Sequence, residues 1–243
     1  MRNRGTVIAR PKCMRLAAIA ACVLGLAAGF PLAAQSGALE DAYARMDKTA
    51  QQFKSVTASM KRDVHTAVIN DDARDQGSIK VRRDKGKDTK MLIEFTGADA
   101  KTVSLDGAHI SIYYPKAKTV QVYDVGDKRK LVDQFLLLGF GASSADLKTS
   151  YEVAYSGTEM IGADNTWHIQ LTPKSPEELK NLKKAELWIA QTTGLPLQQK
   201  FVTSASGDFT LITYSDMKPN ASVSDNELKL KYPGGVQVEH PKF

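Results

Sequence analysis

The chain has 243 residues, with 33 Lys and Arg against 27 Asp and Glu, and two cysteines. Five of the basic residues and both cysteines, Cys13 and Cys22, lie in the first 36 positions, which leaves 28 basic side chains against 27 acidic ones. That remainder is near neutral and cysteine-free, so it has no disulfide framework, no thiol chemistry and no basic surplus of the kind that binds nucleic acid.

The first element is a leader. Arg2, Arg4, Arg10, Lys12 and Arg15 stand in a stretch without an acidic residue, and Leu16–Phe30 then runs fifteen residues without a charge. That is the length of a signal-peptide core and shorter than the roughly 20 residues a membrane-spanning helix needs. Pro31 breaks the run, and Ala34-Gln35-Ser36 and Ser36-Gly37-Ala38 both fit the small-x-small cleavage pattern. There is no twin-arginine pair, which favours the general export route. Ile19-Ala20-Ala21-Cys22 matches a lipoprotein cleavage box in form, but the apolar run continues beyond it. The expectation is a cleavable signal peptide over 1–36 and one exported domain over 37–243.

In that domain, Leu39, Ala42, Tyr43, Met46, Ala50 and Phe53 recur at three- and four-residue spacing, which predicts an amphipathic helix over Ala38–Phe53. The period then changes to two. Ile79 and Val81 alternate in a strand closed by Arg82 and Arg83, and if the two aliphatics face inward, Arg83 is the inward arginine. A buried arginine needs partners, and its five donors suit backbone carbonyls at a helix end. The mixed-charge stretch Arg82–Asp88 reads as a solvated hairpin tip. Met91, Ile93 and Phe95 alternate next, followed by Ile110 and Ile112.

Lys128–Leu138 interrupts this pattern with helical composition and is ended by Gly139-Phe140-Gly141. Phe135-Leu136-Leu137-Leu138 is apolar on every side, so the helix is either an ordinary core helix or a cover over an apolar opening. Ser143 or Ser144 caps a short helix through Leu147. Alternation resumes with Trp167, Ile169 and Leu171, with Leu187 and Ile189 flanking Trp188, and with Phe209 and Leu211. Asp106-Gly107, Gly162–Asn165, Thr193-Gly194, Ser206–Asp208 and Pro233–Gly235 are turn signals at hairpin spacing. The whole reads as a curled antiparallel meander of about ten or eleven strands.

No enzyme motif is present. His65, His109, His168 and His240 have no metal-ligand spacing, and there is no GxSxG, Walker or GxGxxG sequence. Asp71, Asp72 and Asp75 read as turn residues rather than a calcium site. His168 lies on the polar side of its strand and is expected to face solvent. No catalytic residue, metal or cofactor is assigned.

With these pieces in order, the chain resembles the periplasmic outer-membrane lipoprotein carrier proteins, LolA. The resemblance is carried by the opening helix, Gly77–Arg83, Val103-Ser104-Leu105-Asp106-Gly107, Ile112-Tyr113-Tyr114-Pro115, the Leu/Phe-rich segment before Gly139, Leu171-Thr172-Pro173-Lys174 and Leu230–Val238. It departs from the family where Asp84 replaces the usual Pro after the arginine, and where Met91-Leu92-Ile93 replaces aromatic residues. The resemblance implies a mainly β fold, a half-open antiparallel barrel of about eleven strands covered by helices. It implies a monomeric, non-enzymatic periplasmic carrier that takes acylated lipoproteins from an inner-membrane ABC transporter and hands them to an outer-membrane acceptor. It also implies that Arg83 gates a lid formed by Leu131, Phe135, Leu136, Leu137, Leu138 and Phe140. Inward alternation supplies the cavity walls: Met60, Met91, Ile93, Phe95, Ile112, Trp167, Ile169 and Leu187. Each of these alone reads as a core residue; lining a cavity is a property of the set. Two further readings keep the fold and change the task, to glycolipid or phospholipid binding or to an envelope-stress sensor module.

Overall fold

The structure, a computed structural model, describes residues 32–84, 89–129, 132 and 138–242. The basic leader with its apolar run, and Lys85–Asp88 of the charged stretch, lie outside the described residues.

Helix α1 spans Leu32–Gln52 and carries its apolar stripe as expected, with Ala42, Tyr43 and Met46 buried. It starts six residues before the predicted Ala38. Twelve strands follow: β1 (Ser55–Thr66), β2 (Asp71–Arg83), β3 (Thr89–Thr96), β4 (Lys101–Asp106), β5 (His109–Tyr114), β6 (Thr119–Asp124), β7 (Tyr151–Ile161), β8 (Asp164–Pro173), β9 (Lys184–Ala190), β10 (Pro196–Val202), β11 (Phe209–Pro219) and β12 (Gln237–Glu239). They form one sheet in the order β12-β6-β5-β4-β3-β2-β1-β11-β10-β9-β8-β7, antiparallel throughout except where β12 runs parallel to β6. β12 and β7 are its two edges, so the sheet stays open. Short helices α2 (Ser144–Ser150), α3 (Glu178–Asn181) and α4 (Asp225–Leu228) punctuate it. Among the described residues no helix is long and apolar enough to cross a membrane.

Register sets which side chains share a face. Val56, Val81, Met91, Leu105 and Ile110 are paired in one row, and Ala58, Ile79, Ile93, Val103 and Ile112 in the next. Because side chains alternate, both rows project from the same face, and that face carries the core. Two buried clusters occupy it. The first gathers residues of β1–β4 around Phe53, and the second gathers β7–β9 around Met46 of α1. The opposite face is partly covered by the C-terminal segment, whose Val223 and Leu228 pack on Leu92.

Two local expectations are corrected. Asp71, Asp72 and Asp75 are strand residues of β2; the turn lies before them, at Ala67–Asn70, with Asn70 at φ 49°. They tolerate the strand because each of two meets a polar partner across the ladder: Arg62 pairs with Asp75, and the His65 ring nitrogen Nδ1 meets Asp72 at 2.8 Å, joined by Asp63 with Arg74 at 3.0 Å. Among the described residues, no group of three His, Cys, Asp or Glu is arranged to hold a metal. His168 is on the outer face, as alternation requires, yet its side chain is only 13% exposed. It stacks on Trp188 at 4.2 Å, and its ring nitrogens meet Glu159 at 2.8 Å and Glu186 at 3.0 Å.

Candidate functional site

The eight expected wall residues divide between the two clusters. Met60, Met91 and Phe95 are buried in the first, with Ile93 half-buried against it. Ile169 and Leu187 are buried in the second, with Trp167 half-buried against it. Ile112 is half-buried opposite Val103 and belongs to neither. In this structure these side chains pack on neighbours. A cavity of about 610 Å³ lies instead beside β5, β6 and the C-terminal residues His240–Lys242, and one of about 200 Å³ lies between α1 and the β9–β10 turn. Neither is lined by any of the eight.

The segment between β6 and α2 joins the clusters. Of the residues expected to form a lid, Leu131, Phe135, Leu136 and Leu137 lie outside the described residues. Leu138 and Phe140 are described, and they diverge: Leu138, 3% exposed, enters the second cluster and Phe140, 1% exposed, enters the first. The strap Leu138–Gly141 therefore seats one large side chain in each. Phe140 meets the Tyr214 ring edge-on at 5.1 Å, a favoured aromatic geometry. Gly141 takes φ 68°, and a Cβ there would sit 2.6 Å from the Phe53 ring, so glycine is required on both conformational and steric grounds.

Arg83 is the inward arginine, as the alternation of Ile79 and Val81 predicts. Its backbone N–H donates to the Lys54 carbonyl at 2.8 Å, its guanidinium Nη2 donates to the Gly141 carbonyl at 3.0 Å, and its guanidinium carbon lies 5.2 Å from the centroid of the Phe53 ring. Burial lowers its pKa from the ordinary arginine value, and the nearby Asp146 carboxylate works in the opposite direction. Arg82 points the other way. It donates to the Val223 carbonyl at 2.8 Å and pairs with Asp84 at 2.7 Å and with Asp225, which anchors the C-terminal segment to the outer face. Asp84, the departure from the family pattern, thus serves the outer arginine.

Beyond Gly141 the chain enters α2 through a capping box in which Ser143 and Asp146 bond each other's backbone N–H. Ser144 donates to Asp47 of α1 through its N–H at 2.6 Å and its hydroxyl at 2.8 Å. The strap is thereby fixed at its downstream end.

One residue at the strap escapes sequence reasoning. Gln199 of β10 donates from its side-chain nitrogen to the Leu138 carbonyl, and its oxygen accepts from the Tyr214 hydroxyl at 2.7 Å. Pro196-Leu197-Gln198-Gln199-Lys200 shows no alternation, so nothing in the sequence marks Gln199 as inward. Its register opposite Leu187 and Ile212 does.

The class these features define is a mainly β protein built on one open, largely antiparallel sheet, a half-open barrel with helices over its apolar face. No family model matches the chain, and no curated protein sequence does. Solved structures do match. The chain is similar to MucB at 14% identity and a TM-score of 0.51, covering 82% of this chain and 63% of that one. It therefore spans less than two thirds of the MucB length. It is also similar to an uncharacterized conserved protein from Thermus thermophilus, at 10% identity and a TM-score of 0.53, covering 84% of this chain and 99% of that one. A LolA superfamily protein from Nitrosomonas europaea aligns at 12% identity and a TM-score of 0.37, over 77% of this chain and 97% of its own. At these identities the likeness to MucB and to the Thermus thermophilus protein is one of fold alone.

Proposed function

We propose that this chain is an exported, non-enzymatic carrier that shields acyl chains of lipoproteins between two membranes. The observation that carries the reading is the strap: Leu138 and Phe140 fill two separate apolar clusters, while Arg83 holds the adjoining Gly141 carbonyl. Two large side chains separated by Gly139 and followed by Gly141, both glycines at positive φ, form a plug held by polar bonds rather than by the sheet ladder. An acyl chain costs about 0.8 kcal/mol per exposed CH₂ in water, so crossing an aqueous space requires such a protein surface, and an empty carrier requires something that refills it. In this reading Met60, Met91, Phe95, Ile169 and Leu187 become walls when the strap is displaced, with Ile93, Ile112 and Trp167 at their margins, and Arg83 sets how readily displacement occurs. The leader over 1–36 directs export to the periplasm, and the partners are a donor transporter in the inner membrane and an acceptor in the outer one.

A second reading, a sensor module, is favoured by the likeness in fold to MucB. Native mass spectrometry of the protein purified from its own envelope separates the alternatives. A bound acylated peptide is the expected result; a bound glycolipid or phospholipid assigns the carrier to lipids, and a protein that never loads favours the sensor.

A further inference from the structure

Gln199 brings an amide into apolar surroundings at 2% exposure, between Leu187 of β9 and Ile212 of β11. Its donors and acceptor need partners there. The Leu138 carbonyl only accepts, so the amide nitrogen must face it, which leaves the amide oxygen for the Tyr214 hydroxyl. Burial pushes the Tyr214 phenol up, so it stays a neutral donor. What Gln199 presents toward the strap is a positioned N–H aimed at a carbonyl oxygen.

Leu138 shows the shape of the group this donor accepts: a carbonyl on Gln199 with an aliphatic group a few bonds away, buried in the second cluster. An ester- or amide-linked acyl chain has the same disposition, its alkyl chain starting at the carbonyl carbon. An ether-linked chain has the alkyl group without the carbonyl oxygen, leaving only the weaker ether oxygen as acceptor. Resting on the acyl-carrier reading above, we propose that Gln199, oriented by Tyr214, is a polar subsite that takes the carbonyl of an ester- or amide-linked acyl chain when cargo replaces Leu138. The subsite distinguishes acyl from alkyl cargo, because a bound ether offers the buried amide donor only a weaker acceptor in place of the carbonyl.

The test measures binding of two probes to the whole protein: a dipalmitoylglyceryl cysteine peptide and its dihexadecyl ether analogue. The parent should prefer the ester by roughly threefold to tenfold, the size of one net hydrogen bond. Gln199→Leu should bring the ratio close to one, and Tyr214→Phe, which keeps the amide but removes its orienting partner, should lower it part of the way. Equal binding of both probes by the parent, or a preference that survives Gln199→Leu, overturns the subsite while leaving acyl binding intact. Binding of neither probe overturns the carrier reading and the subsite with it. If Gln199→Leu fails to fold, Tyr214→Phe decides, and an unchanged ratio there refutes the proposal.

Discussion

Replacing Arg83 with Leu removes the guanidinium donor from the Gly141 carbonyl. A hydrogen bond to a charged group contributes about 1.5–3 kcal/mol, and the cation near the Phe53 ring adds about 0.5–1 kcal/mol. Opposing this, the arginine is partly desolvated, as its lowered pKa records, and leucine packs on Phe53 without that penalty. The net loss of strap docking is therefore about 1–3 kcal/mol, which is roughly a 5- to 150-fold shift toward the undocked strap. Amide hydrogen exchange over residues 138–142 reads that shift directly, and retention of a diacylated lipopeptide through gel filtration reads its consequence. Exchange should speed by that factor, and a larger share of the variant should stay loaded. Unchanged exchange would show that the Arg83 bond does not hold the strap. Faster exchange with unchanged loading would keep the bond and remove the gate.

Gly141→Ala should lower stability by about 2 kcal/mol or more in urea unfolding, since its φ of 68° and the Phe53 ring at 2.6 Å both oppose a side chain. Burial raises the phenol pKa of Tyr43 and Tyr214, and that of Tyr151 to about 12, so their neutral forms stabilise the fold. That contribution is complete below the unfolded value near 10 and is lost as pH rises through the folded values. Phenolate absorbance should therefore fall short of the eight tyrosines until the fold gives way in alkali, and simultaneous titration of all eight near pH 10 would contradict the burial. His168→Ala should cost about 1–3 kcal/mol by leaving polar partners unmet, with lipopeptide binding unchanged because the residue lies on the outer face. A loss of binding would contradict the assignment of that face.

Patterns that depend on one segment alone were legible in the sequence. The stripe on α1, the alternation in β3 and β8 and the cap at Ser143 need no distant partner to be read. Even Arg83 follows from parity within β2. Features created by neighbouring strands were hidden. Asp72 and Asp75 read as turn residues until His65 and Arg62 stand opposite them. His168 reads as solvent-facing until Trp188, Glu159 and Glu186 cover it. Gln199 is one glutamine of an adjacent pair, and only register separates it from Gln198, whose oxygen accepts from the Thr213 hydroxyl at 3.2 Å. The strap is the intermediate case. Its apolar composition pointed to burial, but the division of Leu138 and Phe140 between two clusters follows from where the barrel places those clusters.

Under the proposed carrier function, that division sets an energetic limit on release. Returning Leu138 and Phe140 to their clusters recovers about 1.5–3 kcal/mol each, and the bonds from Arg83 and Gln199 add about 1–3 and about 0.5–1.5 kcal/mol. The strap thus recovers roughly 5–11 kcal/mol on closing. A single sixteen-carbon chain costs about 12 kcal/mol to expose to water, and a lipoprotein with two or three chains exposes a multiple of that. Strap closure offsets at most about one chain, so it suffices to keep the empty carrier soluble and too little to expel cargo into water. Release then has to pass chains directly onto another apolar surface, with the strap closing behind them. Under the proposed carrier function, the chain would therefore unload only in contact with an acceptor.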